Sequence, residues 1–512
     1  MWVVVPATKE EIMAATVLTA QEGVRYAPRP TVREALRNPR ILSKEVLAGL
    51  VVGIALIPEA ISFSIIAGLD PKVGLYSSFI MAMVVAITGG RPAMITAATG
   101  AVALVIAPLV REHGYEYMLA AIMLAGVFQI VLAVLGVAKL MRFIPRSVMV
   151  GFVNALAIMI FSAQLGELFG VPFAVYPLVA LGLAIMVGMP KLTEAVPAPL
   201  VAIVVVTALC MAFGIDVPRV GDRGELPDTL PELVLPHVPL SLETFQIIAP
   251  YALGVALVGL MESLMTAKLI DEITDTHSNK TREGFGQGTA NIVSALFGGM
   301  GGCAMIGQSM INVKASGART RLSTFFAGAF LLGLMLLLND LVGQIPMAAL
   351  VAVMVMVSVG TFDWHSVKPA TLRKLPASET VTMLITVAVV LVTSNLAIGV
   401  VVGVLVASVV FVRNVAHLVE VTREEADGVA HYVVRGQLLF ASSNDLTTLF
   451  MYSSDPDEVV VDLTEATLWD ASTIAALDSI EQRYAQYDKR VRFVGMSDQA
   501  SAFHGRLTGA VG

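Results

Sequence analysis

Cysteine is nearly absent from this 512-residue chain, which has only Cys210 and Cys303, both set among apolar or small residues. Two such thiols support neither a disulfide framework nor a metal site, and both are expected to be buried bystanders. Charge is scarce too: Asp, Glu, Lys and Arg make up 14% of the residues against 56% hydrophobic ones, and mean hydropathy is +0.79. Such a composition excludes an ordinary soluble domain and points to a polytopic membrane protein. The formal net charge of −7 comes without a dense basic patch outside the loops, so nucleic acid is not an expected partner. No nucleophile–base pair or metal constellation stands out, which argues against a membrane enzyme, and no cofactor is expected. The apolar start Met1–Val5 is too short for a secretory signal. With Pro28, Pro30 and Pro39 set among Arg25, Arg29, Arg33, Arg37 and Arg40, residues 1–44 read as a cytoplasmic amphipathic lead-in.

What is abundant is apolar sequence in lengths that suit a bilayer, where about 20 helical residues cross the hydrocarbon. Spans are expected near 46–68, 72–89, 115–138, 147–168, 174–189, 197–214, 246–270, 284–299, 322–338, 344–361, 378–394 and 397–419. Two shorter pieces, 96–111 and 307–318, each follow a glycine-rich break and read as half-helices preceded by extended chain, giving fourteen segments. Irregular backbone at that depth is tolerated where it is buried in protein or lines a cavity. A cytoplasmic N-terminus leaves Lys72, Arg111, Arg219 and Arg223 as the basic residues on the outer side, in line with the positive-inside bias.

Two stretches look like copies of one device. Ile57-Pro58-Glu59-Ala60 is followed by Gly89-Gly90-Arg91-Pro92-Ala93-Met94-Ile95-Thr96, and Gly259-Leu260-Met261-Glu262-Ser263 by Gly301-Gly302-Cys303-Ala304-Met305-Ile306-Gly307. A carboxylate inside an apolar run, then a glycine-broken segment, once per half, is the mark of a secondary transporter built from repeats. Seven passes being an odd number, two such halves, at about 45–214 and 244–420, form an inverted repeat joined by the acidic 215–243 loop. Beyond Arg413 the apolar runs shorten. Strands at 431–440, 458–463 and 490–495 and an amphipathic helix at 473–487 make 425–512 a small cytoplasmic α/β domain behind a transporter domain at 45–424.

From about residue 40 onward the chain resembles the SulP family of anion transporters. The matching blocks are Ala48-Gly-Leu-Val-Val-Gly, Ile57-Pro-Glu-Ala, Gly74-Leu-Tyr-Ser-Ser-Phe79, Glu262-Ser-Leu-Met-Thr-Ala267 and Gly317-Ala-Arg-Thr-Arg-Leu-Ser323. The tail, with Val459-Val-Val-Asp-Leu-Thr464 and Trp469-Asp-Ala-Ser-Thr473, resembles a STAS domain. The resemblance implies an α-helical polytopic membrane protein with 14 transmembrane segments in a 7+7 inverted repeat. Passes 1–4 and 8–11 would form a core domain and passes 5–7 and 12–14 a gate domain, and the protein would be a homodimer in the inner (plasma) membrane with both termini cytoplasmic.

An anion in a low-dielectric membrane needs positive potential, which helix N-termini supply without a full charge. Thr96, Ala98, Thr99 and Gly100 lie at the start of the first half-helix, and Gly307, Gln308, Ser309 and Met310 at the second. The substrate-binding set is therefore Glu59, Phe63, Ala98, Thr99, Gly100, Gln308, Ser309 and Met310, and in the resembling family the substrate does sit between these two starts. Small residues there also serve close helix packing, and Phe63 is equally a packing residue. Glu59 and Glu262 are the candidates for coupling, since a carboxyl at this depth can travel neutral or charged. The resemblance also implies a sodium site in some relatives, at positions matching Glu262, Thr266, Ala304, Met305 and Gln308. Sodium-coupled relatives have Asp where this chain has Glu262, which favours a co-transported proton, with sodium the alternative. Arg319 reads equally as an anion-steering group or a positive-inside anchor. His277 and His365 lie in loops and receive no role. The resemblance matches Ser472 to the phosphorylated serine of anti-sigma factor antagonists, in the altered setting Asp470-Ala-Ser-Thr473, which makes it a regulatory candidate, with a structural or trafficking role for the segment the alternative. The expected function is proton-coupled symport of a small anion, foremost a C4-dicarboxylate such as fumarate, with sodium-coupled bicarbonate or sulfate transport the alternative. An anion channel, or a signalling scaffold whose STAS domain binds a cytoplasmic partner, is the different class.

Overall fold

The structure is a computed structural model, described for residues 30–136, 144–192, 197–416, 419–426 and 428–496. Most of the expected lead-in and the end of the expected STAS segment lie outside the described residues. Fourteen helices occupy the expected segments. The first half holds α1 Pro39–Ala67, α2 Pro71–Thr88, α3 Gly100–His113, α4 Tyr115–Val134, α5 Arg146–Leu165, α6 Val175–Leu192 and α7 Ala198–Phe213. The second half holds α8 Leu242–Thr274, α9 Lys280–Leu296, α10 Ile306–Met310, α11 Arg321–Leu337, α12 Met347–Thr361, α13 Ala377–Thr393 and α14 Leu396–Ala416. Among the described residues, eight are long and apolar enough to cross a membrane by length and composition: α1, α2, α4, α5, α6, α8, α11 and α14. The helices α7, α12 and α13 are apolar but shorter.

Local chemistry sets the helix ends. Asn38 accepts from the Arg40 N–H at 3.1 Å with Pro39 opening α1, and Gly68 closes it at φ 76°. Pro58, inside α1, donates no helical hydrogen bond, which leaves a backbone carbonyl of the preceding turn without its helical partner one residue before Glu59. Buried Glu45 of α1 takes the backbone N–H groups of Arg319, Thr320 and Ser323 at 2.7, 3.1 and 3.2 Å, holding the start of α11. Buried Glu283 of α9 does the same for Gly90 and Arg91 at 2.7 and 2.8 Å, anchoring the extended chain that leads to α3.

The packing repeats itself between the halves. Helix α1 packs on α11 as α8 packs on α4, α2 on α11 as α9 on α4, and α5 on α13 as α12 on α6. Helices α1–α4 and α8–α11 pack among themselves, as do α5–α7 with α12 and α13. Sparser contacts of α1 with α7 and α12, and of α3 with α5, join the two sets. The resemblance implied this grouping for passes 1–13, and hydropathy alone did not contain it. Within the first set two extended segments cross, β1 Thr96–Ala97 packed on α2 and β2 Cys303–Ala304 on α8. The two strands pair antiparallel, Thr96 opposite Ala304 and Ala97 opposite Cys303. The first half-helix thus begins at Gly100 and not at the expected 96, because Thr96 and Ala97 are taken by this strand pair.

Residues from Gly403 onward belong to a second compact unit. Its sheet runs in the order β3 Glu420–Ala426, β4 Val429–Leu438, β5 Glu458–Asp462, β7 Arg490–Val494, with β6 Ala466–Leu468 also on β4. The pair β3–β4 is antiparallel and the pairs β4–β5, β4–β6 and β5–β7 are parallel. Every second residue, Ala430, Tyr432 and Val434 on β4, Val459 and Val461 on β5, is buried against Leu477, Ile480 and Tyr484 of the helix Ala471–Ala485. The sheet starts ahead of the expected 425, since β3 is too charged to read as a buried strand.

Candidate functional site

The crossing strands deliver the first turns of α3 and α10 to one cavity of about 360 Å³. Its wall contains Glu59 and Phe63 of α1, Thr99, Gly100 and Ala101 at the start of α3, Glu262 and Met265 of α8, and Met305, Ile306, Gly307 and Gln308 at the start of α10. Opposite stand Phe152, Val153, Leu156 and Ile160 of α5 with Val357, Gly360 and Thr361 of α12. One wall therefore comes from the α1–α4 and α8–α11 set, the other from α5 and α12.

Both half-helices turn unpaired backbone donors toward this space. Thr99 caps α3 by accepting from the Val102 N–H at 3.5 Å, which leaves the N–H groups of Gly100 and Ala101 without a side-chain cap. Helix α10 has no side-chain cap at all and runs on from its five residues into a π-helical turn, Ile311–Ala315. A Cβ placed on Gly307 would meet nothing within 4 Å, so this residue faces open cavity, whereas one on Gly100 would lie 2.8 Å from the Phe63 ring. Phe63 is thus the lid over the start of α3. No Lys, Arg or His lines the cavity among the described residues, so its positive potential comes from backbone dipoles.

The two carboxyls are held differently. Glu59 Oε1 accepts from Gln308 Nε2 at 2.9 Å, a bond between α1 and α10, while Gln308 Oε1 is buried without a partner. Glu262 Oε2 accepts from the Cys303 thiol at 2.8 Å, and that sulfur lies 3.0 Å from Thr99 Oγ1. Cys303, expected to be a bystander, is buried but bridges a carboxyl and the cap of α3.

Of the expected substrate-binding residues, Glu59, Phe63, Thr99, Gly100 and Gln308 meet at the cavity, and Ala98, Ser309 and Met310 do not line it. The Ala98 N–H donates to Ser78 Oγ at 3.2 Å. Ser309 Oγ accepts from the Ile95 N–H at 3.0 Å, tying α10 to the extended chain, and Met310 packs against a cluster that includes Met94, Ala267 and Val313. Of the coupling set, Glu262, Met305 and Gln308 line the cavity. Thr266 Oγ1 donates to the Glu262 carbonyl at 2.8 Å, and Ala304, fully buried in β2, donates its N–H to Ser263 Oγ at 3.0 Å. Sequence reasoning missed the opposite wall, Phe152, Leu156, Ile160, Val357 and Gly360; the i, i+4, i+8 recurrence of Phe152, Leu156 and Ile160 was its one available signal. Arg319 is neither in the cavity nor a bare anchor: its guanidinium donates to the Val313 and Ala318 carbonyls at 2.7 and 2.8 Å, closing the end of the second half-helix. In the second unit Ser472 is exposed in the first turn of the helix Ala471–Ala485, beside the cap Asp470, which accepts from the Thr473 N–H at 3.0 Å.

The same architecture occurs in known proteins. The signature of the sulfate permease family matches residues 42–181 and 173–386, and that of the STAS domain matches 420–502. YbaR of Bacillus subtilis, named as a candidate sulfate transporter, is 52% identical over 456 residues, 89% of this chain and 95% of its own. The bicarbonate transporter BicA of Picosynechococcus sp. is 27% identical over 90% of each chain. Among solved structures, the transmembrane domain of a cyanobacterial BicA superposes with a TM-score of 0.62 at 26% identity, over 72% of this chain and 98% of its own. The murine anion transporter Slc26a9 gives 0.79 at 16% identity, over 98% of this chain and 92% of its own, a likeness of fold. This chain belongs to the sulfate permease family, the SulP anion transporters, and carries a C-terminal STAS domain.

Proposed function

We propose that the protein is a symporter that carries a divalent organic anion, a C4-dicarboxylate such as fumarate, together with protons. The observation that carries this reading is the pair of carboxyls, Glu59 and Glu262, on the wall of a cavity that no cationic side chain lines among the described residues. Alone, a dianion among two carboxylates would be repelled. A carboxyl that is neutral while the anion is bound removes that repulsion and adds an O–H donor. The anion's oxygens would be received by the backbone N–H groups of Gly100, Ala101, Ile306, Gly307 and Gln308. The apolar wall of Phe63, Phe152, Leu156 and Ile160 suits a carbon skeleton better than a strongly hydrated tetrahedral ion.

Transport would proceed by displacement of the α1–α4 and α8–α11 set, with its bound anion, against the set that includes α5 and α12. With both termini cytoplasmic, the start of α5 and the end of α12 would face inward, and the cavity they help to line would open to that side. The protein would work in the inner membrane as a homodimer, with the STAS domain available to a cytoplasmic partner and Ser472 to regulatory phosphorylation. A sodium-coupled bicarbonate or sulfate carrier is the second reading, favoured by the names of the relatives.

The test is uptake of radiolabelled fumarate, sulfate and bicarbonate into proteoliposomes under an inward proton or an inward sodium gradient, with Glu262→Gln as comparison. Proton-driven fumarate uptake that Glu262→Gln abolishes is the expected result. Sodium-driven bicarbonate or sulfate uptake would replace this reading with the second one.

A further inference from the structure

We propose that Cys303 relays the state of the Glu262 carboxyl to the Thr99 hydroxyl, so that a proton arriving at Glu262 releases the Thr99 O–H to bind the anion. The inference rests on the proton-coupled reading above and assigns its coupling step to three atoms.

The geometry is a linear chain across the crossing strands. Glu262 Oε2 lies 2.8 Å from Cys303 Sγ, which lies 3.0 Å from Thr99 Oγ1. Thr99 and Glu262 line the cavity, while Cys303 is fully buried behind them. A thiol and a hydroxyl each carry one hydrogen and can also accept, so the chain has two polarities. With Glu262 ionised, the carboxylate only accepts, the S–H points to it, and the sulfur takes the Thr99 hydrogen. Thr99 then has no hydrogen for the cavity, because its remaining role is to accept from the Val102 N–H. With Glu262 protonated, the carboxyl O–H donates to sulfur, the S–H turns to Thr99 Oγ1, and the Thr99 hydrogen is free. No bond to carbon or sulfur is made or broken; one proton arrives from the medium and two donors rotate. Anion and proton then favour each other reciprocally, as a symporter requires.

Other titratable groups on the elements around Glu262 are placed apart from this chain. Glu59 of α1 shares the cavity but bonds to Gln308. Arg111, Glu112 and His113 sit in the last turn of α3, Glu116 in the first turn of α4, Lys280 and Arg282 in the first turn of α9, and Lys268, Asp271 and Glu272 near the end of α8. Buried Glu283 comes nearer, since Gln287 Nε2 bridges it at 2.8 Å to Thr96 Oγ1 at 3.0 Å, but its oxygens are taken by Gln287 and by the Gly90 and Arg91 N–H groups.

The relay is tested by the anion KM as a function of pH in proteoliposomes. For the wild type, KM is expected to fall roughly tenfold as Glu262 takes up its proton, the size of one charge-assisted hydrogen bond. Cys303→Ser, which keeps one hydrogen and two lone pairs, should keep that dependence. Cys303→Ala and Thr99→Val should flatten it, while Cys303→Ala still requires a proton gradient for accumulation. A purely structural role would lower uptake equally at every pH, and a Cys303→Ala protein with the wild-type pH dependence would overturn the relay. In a Cys210→Ala background the infrared S–H stretch reports Cys303 alone, since the chain has two cysteines; a band that does not move with pH overturns it as well. A wild type indifferent to the proton gradient refutes the proton-coupled reading itself, an outcome distinct from a proton-driven wild type matched by Cys303→Ala.

Discussion

Asp455 has no exposed side-chain surface, and three donors converge on its carboxyl: the hydroxyls of Tyr432 and Tyr484 at 2.7 and 2.6 Å and Arg423 Nε at 2.9 Å. A buried carboxylate is tolerable only when its oxygens are met in this way. Burial first, and the bond to Asp455 after it, push the Tyr484 phenol well above its ordinary value, and burial likewise raises Tyr432. A raised phenol pKa means that the folded protein holds the proton more tightly than the unfolded chain. The resulting stability is complete below the unfolded value of about 10 and declines as pH climbs above it. Removing the carboxylate with Asp455→Ala is expected to destabilise this unit by about 3 kcal/mol, and Tyr484→Phe by about 1 kcal/mol with a shallower alkaline decline. Limited proteolysis of the full-length protein across denaturant and pH series measures both. Among residues of the candidate site, Glu59, Glu262, Thr99 and Gln308 were legible in the sequence because a polar group inside an apolar run is costly unless partnered or used. Ala98, Ser309 and Met310 were not separable from them. Which way a half-helix residue points depends on the residue at which the helix begins, and the extended chain ahead of it carries no helical periodicity to fix that phase. Cys303 was opaque for another reason, its partners Glu262 and Thr99 being remote in sequence.

The strand crossing is the element on which the site depends, and it is made by small residues. A Cβ on Gly302 would fall 1.9 Å from the Ala97 carbonyl oxygen, so only glycine allows β1 and β2 this approach. Gly302→Ala must push two paired backbones apart, which is expected to cost at least about 2 kcal/mol and to abolish transport. Gly307→Ala is the matched control. Its Cβ enters open cavity, so the thermal midpoint in detergent should equal that of the wild type, while the anion KM rises because the α10 donors are partly covered. Equal destabilisation by both substitutions would show that the crossing is not the constraint. Element boundaries were legible where composition changes sharply, as at Gly68, and drifted where it does not: helix α1 begins at Pro39 and not at 46, capped by Asn38 ahead of the apolar run. Helix α9 begins at Lys280 and not at 284, because Asn279 caps it by accepting from the Arg282 N–H at 2.9 Å, ahead of the apolar run. Strand β3 escaped notice because its pairing with β4 rests on backbone bonds and its side chains are half-buried or exposed.

At the scale of the molecule, the repeat was legible because the glycine-broken segments recur and the basic residues segregate, but the grouping of α1–α4 with α8–α11 was not. Which helices pack together depends on side-chain faces that are apolar all round in most of these segments, and an evenly apolar helix does not announce its partner. In the proposed mechanism that grouping decides what would cross the membrane as one body, since the two carboxyls and the two half-helix starts all belong to it. Its net charge therefore sets the response to voltage. A dianion accompanied by two protons, one for each of Glu59 and Glu262, adds nothing to the charge of the moving set. Moving one uncompensated charge through 100 mV is worth about 2.3 kcal/mol, so a carrier taking one proton per dianion would accumulate roughly tenfold less for each ~60 mV of inside-negative potential. Fumarate accumulation driven by a fixed proton gradient is accordingly expected to be the same in proteoliposomes clamped with valinomycin at zero, inside-negative and inside-positive potentials. Accumulation that falls with inside-negative potential would leave only one of the two carboxyls carrying a proton, and the Glu59→Gln and Glu262→Gln proteins would then identify it, since the variant that keeps the wild-type voltage response lacks the idle one.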